Sequence, residues 1–429
     1  MRRLLAVLMA FTLLAAACGR DDDDDDAATD DGDSSEDGGG ELSAGPGFDG
    51  TTITLGVITP TTGPAAIIGN PLTAGNQVWF DRVNADGGIA GQYPVELVVE
   101  NNEYSTQVTI EAYNRVKEDV AMFAQILGTP PTNAVLPQLT QDEIVASPAS
   151  LDEEWVREQY LLPLGGPYQI QAINALEYYL NDGGGSTDDT ICVLRSDDPY
   201  GEAGLEGVEF AAEEMGFEIA EQPTFTAGAG DFTAQLGTLS GADCQMVFLV
   251  SLPSDAAPIL GGAAASGFAP QWIGQSPTWV TALALSPELG PYLAENFWLA
   301  SQGFQWGDES DPAMAGMLAD VAEFAPDQAP DIYFVFGYVQ AQAITEVLEA
   351  AVENGDLSRE GIVEAMNGLE TMTEDGLLGT YEWGAPEDRN PPRVSTVFSV
   401  NPDAPSGLEA LSEENFTSDA AEAFEFAGS

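Results

Sequence analysis

Short apolar segments alternate with longer amphipathic segments along most of this chain, and this alternation limits the folds that it can adopt. The short segments are rich in Val, Ile and Leu and predict buried strands, whereas the longer ones have the spacing of a helix with one apolar face. Such a helix can carry the chain back so that the next strand lies parallel to the last. The order therefore predicts an α/β fold, in which helices cover parallel sheets.

The predicted elements fall into two series. In the first, strands at 53–58, 95–99 and 122–127 alternate with helices from about Leu72 to the turn at 86–88 and near 105–118. The second follows the hinge-like sequence at 164–167 and has strands at 190–194, 246–250, 271–274 and 297–300, with helices at 169–180, 202–215, 231–239 and 254–265. Helices at 332–352 and 358–368 and strands in GTYEW and VSTVFSV complete the chain. Two α/β halves would form a cleft, and ligands bind such sheets beyond the carboxyl ends of the strands.

The N-terminus predicts export from the cytoplasm. Two arginines, an apolar run and three alanines precede Cys18, which is the pattern of a secretory signal peptide over residues 1–18. It resembles a bacterial lipoprotein signal, which implies that Cys18 is lipidated and becomes the new N-terminus. An ordinary cleaved signal or a short membrane anchor is the alternative, although the apolar run is shorter than the ~20 residues that span a bilayer.

Acidic residues dominate the composition. Residues 19–50 include the run Asp21 to Asp26 and a glycine stretch, which predicts a disordered tether; no DxDxDG calcium loop occurs there. The whole chain has 71 acidic and 11 basic residues and a net charge of −60. Such a surface repels nucleic acid and anionic membranes, so the only membrane contact that we expect is the lipid anchor. Adaptation to salt and a lineage bias explain this charge equally well.

The absence of histidine excludes several kinds of enzyme site. Without histidine there is no Ser-His-Asp triad, Cys-His pair or imidazole-bound zinc, and the sequence contains no phosphate-binding GxxxxGK[ST] loop. Paired carboxylates of the glycosidase kind remain open, but nothing distinguishes one pair from the many solvated acids. We therefore predict no catalytic residue, cofactor or metal.

Two cysteines remain after Cys18. Cys192 and Cys244 each lie near the start of a predicted strand, and neighbouring parallel strands could bring them together as a disulfide. Two free buried thiols agree equally well with the sequence.

Loop motifs follow the predicted strands in a recognisable order. These are TTGPAAIIG (61–69), DGGIAGQ (86–92), GTPPTN (128–133), SPAS (147–150), DDPYGE (197–202) and TAGAGDFT (226–233). In this order and spacing, over residues 51 to 400, the chain resembles the branched-chain amino-acid-binding (leucine/isoleucine/valine-binding) family of type I periplasmic solute-binding proteins.

The resemblance implies two Rossmann-like lobes with parallel sheets, joined by three crossover segments. Lobe 1 would comprise residues 51–166 and 304–376, and lobe 2 residues 167–303 and 377–429. The family implies a non-enzyme that captures a small solute by lobe closure and delivers it to an ABC permease and ATPase complex. The solute would have an apolar body and a carboxylate or amide group. A receptor that signals through the same fold and a secreted hydrolase are the alternatives.

The resemblance also implies ligand-binding residues. Thr132 matches the hydroxyl residue that holds the ligand carboxylate beside a helix N-terminus, where unpaired N–H groups favour an anion. Ala149 and Ser150 match the loop whose backbone contacts the ligand. Ile68 matches a wall of the side-chain pocket, and Tyr200 matches a tyrosine that closes from the second lobe.

Two positions depart from the family pattern. The acid that neutralises the ligand ammonium falls on Ser276, and the hydroxyl residue after the SPA sequence falls on Leu151. Both losses weaken the ammonium side of the predicted pocket. Asp255 or Glu202 could substitute for the missing acid, although neither aligns with it.

Overall fold

The structure is a computed structural model that describes residues 42–302, 306–307, 312–373 and 377–427. The predicted signal peptide, Cys18 and most of the acidic tether therefore lie outside the described residues. Within the described part of the chain, no helix is long and apolar enough to cross a membrane.

The described strands and helices follow the predicted alternation. The strands are β1 (Ser43–Ala44), β2 (Ile53–Thr59), β3 (Val95–Asn101), β4 (Phe123–Leu127), β5 (Ala146–Ala149), β6 (Ile191–Ser196), β7 (Ile219–Glu221), β8 (Thr224–Phe225), β9 (Met246–Val250), β10 (Gln271–Gln275), β11 (Phe297–Ser301), β12 (Asp356–Leu357), β13 (Thr371–Met372), β14 (Tyr381–Glu382), β15 (Thr396–Val400) and β16 (Leu408–Ala410). The helices are α1 (Ala66–Ala85), α2 (Thr106–Val116), α3 (Thr129–Asp142), α4 (Tyr168–Asn181), α5 (Pro199–Met215), α6 (Thr233–Gly241), α7 (Pro253–Ser266), α8 (Thr281–Ala284), α9 (Gly290–Asn296), α10 (Pro312–Phe324), α11 (Ile332–Glu353), α12 (Arg359–Gly368) and α13 (Asp419–Ala423). Short 3-10 turns lie at Glu153–Trp155, Ser276–Thr278 and Pro386–Asp388.

The part of the chain that we call the first lobe is built on a parallel sheet with the strand order β3-β2-β4-β5. Helix α1 packs along α11, which returns to this lobe late in the chain. The backbones of the two helices approach closely because each helix has a glycine where it contacts the backbone of the other. A Cβ on Gly75 would lie 2.1 Å from the carbonyl oxygen of Phe334, and one on Gly337 would lie 1.9 Å from that of Leu72.

The second lobe is built on a larger sheet with the order β16-β15-β11-β10-β9-β6-β7, in which β8 also pairs with β6. Strands β6 to β11 of this sheet run parallel, whereas β15 and β16 are antiparallel additions at one edge. Helix α4 packs against α5 over this sheet. The mixed α/β fold with parallel sheets in two lobes is confirmed.

One apolar cluster connects the lobes. It contains Ile68, Leu72 and Leu127 of the first lobe together with Leu252 and Trp279 of the second, and all five are buried. Leu127 at the end of β4 and Trp279 after β10 belong to this cluster, and Ala149 at the end of β5 packs against it. Four of the predicted loop motifs, at 61–69, 128–133, 147–150 and 197–202, therefore contribute residues to one common space.

The structure joins Cys192 and Cys244 in a disulfide. Cys192 lies in β6, and Cys244 lies just before β9, the parallel neighbour of β6. Both residues are buried in the cluster that connects the lobes.

Some element boundaries differ from those predicted. The tether prediction was wrong for residues 42–50, because the amide of Ser43 donates to the carbonyl of Gly355 at 3.0 Å and Phe48 packs on the first-lobe core. The SPA sequence lies within β5 instead of after it. The GTYEW segment forms only a two-residue strand, and α10 was not predicted. Helices α1 and α5 begin earlier than predicted, at Ala66 and Pro199.

Candidate functional site

A cavity lies between the two lobes and encloses about 90 Å³. The first lobe contributes Ile68, Leu72, Tyr104, Leu127, Gly128, Thr129, Ala149, Ser150 and Leu151, and helix α11 contributes Ile332, Tyr333, Val335 and Phe336. The second lobe contributes Tyr168, Gln171, Tyr200, Leu252, Ser276 and Pro277, and Ser301, Gln302 and Leu378 complete the lining.

The start of α3 brings a polar group to the first-lobe side of the cavity. Thr129 is the first residue of this helix and its hydroxyl lies 2.6 Å from the hydroxyl of Ser150. The indole N–H of Trp155 also donates to Ser150, at 3.4 Å. Because the first amides of a helix have no partner within it, the Thr129 N–H is a further donor at this point. Pro130 and Pro131 follow and have no N–H, so Thr129 supplies the amide donor of this first turn.

The structure places Thr132 outside the cavity lining, and its role as a carboxylate contact stays a prediction. Residues 130 and 131 are prolines, which fit the first turn of a helix, so α3 begins at Thr129 and Thr132 lies one turn further along. Thr132 is fully buried, and its hydroxyl donates to the carbonyl of Ile126 at 3.4 Å. It is not among the residues that line the cavity. The hydroxyl residue that faces the cavity from this helix is Thr129.

The other sequence-predicted residues do line the cavity. Ile68, Ala149 and Ser150 lie on the first-lobe side, and Tyr200 and Ser276 lie on the second-lobe side. The Tyr200 hydroxyl donates to the carbonyl of Ser251 at 3.4 Å. Burial raises the pKa of Tyr200 well above its ordinary value, so this phenol is neutral at physiological pH.

Backbone and side-chain hydrogen bonds fix the position of Ser276. Its N–H donates to Oε1 of Gln171 at 3.0 Å, and its carbonyl accepts a hydrogen bond from the Tyr333 hydroxyl at 3.1 Å. The carbonyl of Trp279 shares this single proton and lies nearer to the Tyr333 hydroxyl, at 2.6 Å. Ser276 therefore connects α4 and α11, which belong to different lobes.

Neither of the two candidate substitute acids lines the cavity. Asp255 accepts the N–H of Gly228 at 2.9 and 3.2 Å, and burial raises the pKa of this carboxyl. Glu202 is largely exposed and lies 3.0 Å from Arg195. In the described geometry neither acid is therefore placed to neutralise a ligand ammonium, and this role stays a prediction.

Sequence reasoning missed Tyr104, which lies in the loop after β3. Glu103 and Tyr104 both have a left-handed backbone, with φ of 51° and 59°. The side chain of Asn102 accepts the N–H of Tyr104 at 3.0 Å and so holds this turn. The ring packs against Gly128, where an added Cβ would lie 2.5 Å from Cε2 of Tyr104. Such strained residues cluster at functional sites, but the sequence NNEYS gives no signal of this conformation.

Sequence reasoning also missed Gln171, which lines the cavity from α4. This residue is fully buried, and its Oε1 is engaged by the Ser276 amide. Its Nε2 has no hydrogen-bond partner in the described part of the chain. Among the described residues that line the cavity, none is acidic or basic, so the site is apolar with a few neutral polar groups.

Comparison with known proteins agrees with this geometry. Residues 52–405 match the family model described as periplasmic binding protein. The chain is 25% identical over 350 residues to the leucine-, isoleucine-, valine-, threonine- and alanine-binding protein of Pseudomonas aeruginosa, with 78% of this chain and 87% of that protein covered.

Solved structures share the fold. A fatty acid ABC transporter substrate-binding protein from Thermomonospora curvata has a TM-score of 0.83 at 25% identity, and the match covers 90% of this chain and 97% of that chain. A branched-chain amino acid ABC transporter protein from Thermus thermophilus with bound valine has a TM-score of 0.75 at 19% identity, with 89% and 99% covered. The family model covers most of the chain, and the chain therefore belongs to the periplasmic binding protein family.

Proposed function

We propose that this protein is the extracytoplasmic substrate-binding component of an ABC importer and captures a small solute with an apolar body and a carboxylate or amide group. The observation that carries this proposal is the cavity between the lobes, whose lining combines apolar side chains with neutral hydrogen-bond donors from both lobes. Ligand sites of this kind orient a mostly apolar molecule through a few polar contacts.

The carboxylate or amide end would lie at the start of α3. The Thr129 amide and the paired hydroxyls of Thr129 and Ser150 supply donors there, and the positive end of the helix dipole favours an anionic oxygen. The apolar body would contact Ile68, Leu72 and Leu252.

Two relatives support this class of solute. The relative from Pseudomonas aeruginosa is named for binding leucine, isoleucine, valine, threonine and alanine, and the structure from Thermomonospora curvata is that of a fatty acid transporter protein. Amino acids and fatty acids share a carboxylate. Each relative is only 25% identical to this chain. The carboxylate that their solutes share is therefore a better guide to the solute of this chain than the name of either relative.

The mechanism that we propose is capture by closure of the lobes. Tyr381 and Trp383 are buried in the first-lobe core, and β14 pairs with β13. We therefore assign residues 51–166 and 304–383 to one lobe, instead of ending its second part at 376, and residues 167–303 and 384–429 to the other, so that three segments connect them. A solute bound to residues of both lobes stabilises the closed state, because only that state makes both sets of contacts. The partners would be the permease and ATPase subunits of the importer.

Lipid attachment at Cys18 would hold the protein at the outer face of the cell membrane. We expect Cys18→Ala to remove acylation and to move the protein from the membrane fraction to the soluble fraction or leave uncleaved precursor. Mass spectrometry of the mature N-terminus checks this, and an unmodified N-terminus in the parent protein would contradict it.

The solute class is tested by a thermal-shift screen of the purified full chain against short-chain acids, amides, amino acids and polyamines. We expect stabilisation by acids or amides with an apolar body, because a ligand that binds only the folded state raises the melting temperature. Calorimetry then gives the affinity of each hit. Binding of polyamines alone would contradict the proposal.

A further inference from the structure

We propose that the solute of this cavity carries a carboxylate but no ammonium or other cationic group. This inference rests on the proposed function and narrows its solute class. It follows from the hydrogen-bond donors and acceptors that the cavity leaves free.

Gln171 supplies a free donor from the second lobe. The Ser276 N–H donates to Oε1 of Gln171, and this hydrogen bond fixes the orientation of the Gln171 side-chain amide. Its Nε2 is then the polar atom of this side chain that remains to be satisfied. Nε2 is buried and has no partner among the described residues. A buried donor without an acceptor is unfavourable, and an oxygen of the solute would satisfy it.

The amide of Thr129 is the corresponding donor from the first lobe. It is the first N–H of α3 and has no acceptor within the helix. The two prolines that follow have no N–H, so they offer the solute no further amide donor. The cavity thus presents a donor from each lobe, which suits a carboxylate with two oxygens.

Several carbonyl oxygens beside the cavity already accept hydrogen bonds from the protein. The carbonyl of Leu151 accepts the N–H of Tyr168 at 2.7 Å, and the carbonyl of Leu252 accepts the N–H groups of Asp255 and Ala256. The Ser276 carbonyl accepts the N–H of Trp279 at 3.3 Å. An ammonium group has three donors and no acceptor, so it would compete with these existing bonds.

Three buried or half-buried acids near the cavity accept hydrogen bonds from backbone amides elsewhere. Asp255 accepts the Gly228 N–H, Asp198 accepts the Gly201 N–H at 3.0 Å, and Asp331 caps α11 through the N–H groups of Tyr333 and Phe334. None of the three is among the residues that line the cavity. In the described lining, an ammonium would therefore be buried without a carboxylate partner.

The first test compares ligands that differ by one group. Calorimetry on the purified full chain would use 4-methylpentanoate, its neutral amide, leucine and 3-methylbutylamine, with octanoate as a longer acid. Leucine is 4-methylpentanoate with an added ammonium. We expect leucine to bind at least about 100-fold more weakly than 4-methylpentanoate, because burying an unpaired charge is costly.

The outcomes separate the two proposals. Leucine binding as tightly as 4-methylpentanoate would overturn this inference and leave the proposed function intact. Absence of binding by every acid, amino acid and amide tested would overturn the proposed function, and this inference with it.

The second test changes the donor at Gln171. In Gln171→Glu, one carboxylate oxygen still accepts the Ser276 N–H, and the other replaces the free donor by an anion. We expect affinity for 4-methylpentanoate to fall at least about tenfold and affinity for 3-methylbutylamine to rise. Gln107→Glu is the matched control, because it adds the same charge on the exposed face of α2.

Both variants are first compared by thermal unfolding, so that a folding defect is recognised. Unchanged affinities in a folded Gln171→Glu protein, or equal losses in both variants, would overturn the role of Gln171. The ligand comparison on the parent protein tests the inference even if Gln171→Glu does not fold.

Discussion

Replacing Thr129 by valine should separate ligand binding from folding. Valine keeps the branched shape and removes the hydroxyl, which lies 2.6 Å from the Ser150 hydroxyl in the cavity. A hydrogen bond to a charged group contributes about 1.5–3 kcal/mol, so we expect carboxylate affinity to fall by about 10- to 150-fold. The free energy of unfolding without ligand should change by about 1 kcal/mol or less.

Thr132→Val is the matched control, because it removes the same group three residues further along α3. The Thr132 hydroxyl donates to the Ile126 carbonyl at 3.4 Å, a long hydrogen bond in the protein core. We therefore expect a loss of unfolding free energy of about 1 kcal/mol or less and an unchanged affinity. Calorimetry measures binding and urea titration measures stability. A loss of affinity in Thr132→Val with none in Thr129→Val would refute the reasoning and restore the sequence-based assignment.

Three further predictions concern the disulfide, a buried acid and a glycine. Cys192→Ser should lower the free energy of unfolding by about 4 kcal/mol, since the disulfide closes a loop with a sequence separation of 52; urea titration should find no further loss on reduction, whereas reduction should destabilise the parent protein. Burial raises the pKa of Asp152 to about 7 from 3.8, so the folded protein keeps a proton that the unfolded chain releases, and stability should fall as pH rises from about 4 to 7. Asp152→Asn should reduce this slope in urea titrations at pH 4.5 and 8, and an unchanged slope would contradict the assignment. Gly128→Ala should weaken ligand binding in calorimetry, because φ is 103° at this residue and the new Cβ would lie 2.5 Å from the Tyr104 ring; full affinity would show that the ring can move without loss.

The buried strands were predictable because their apolar runs are strong and short. The predicted segments at 246–250 and 332–352 agree with β9 and α11 to within one residue. Helix starts were harder to place, because the first turns of α3 and α5 contain prolines and polar residues that also favour loops. The start of α3 lies at Thr129, three residues before the Thr132 position that the family resemblance indicated.

The sequence did not indicate Tyr104 and Gln171 as site residues, and the reason in each case is the local structure. Tyr104 reaches the cavity through two consecutive left-handed residues, a conformation that ordinary side chains rarely adopt. Gln171 lies on α4, where Gln169 and Asn174 are also fully buried. Polar residues on a helix normally indicate its solvent face, so the pattern alone could not show that these three are buried between packed elements.

Arg389 and Arg157 stabilise the fold through hydrogen bonds to backbone carbonyls. Arg389 is buried and donates to the carbonyls of Glu158 and Leu161 at 2.8 and 3.1 Å, and Arg157 donates to the carbonyl of Pro386 at 2.8 Å. Among the described lining residues there is no cation, so under our proposal a carboxylate would depend on neutral donors such as the Thr129 amide and Gln171. These donors act in direct contact, whereas exposed acids more than about 8 Å away are largely screened at physiological ionic strength. An anionic solute is therefore compatible with a chain whose net charge is −60.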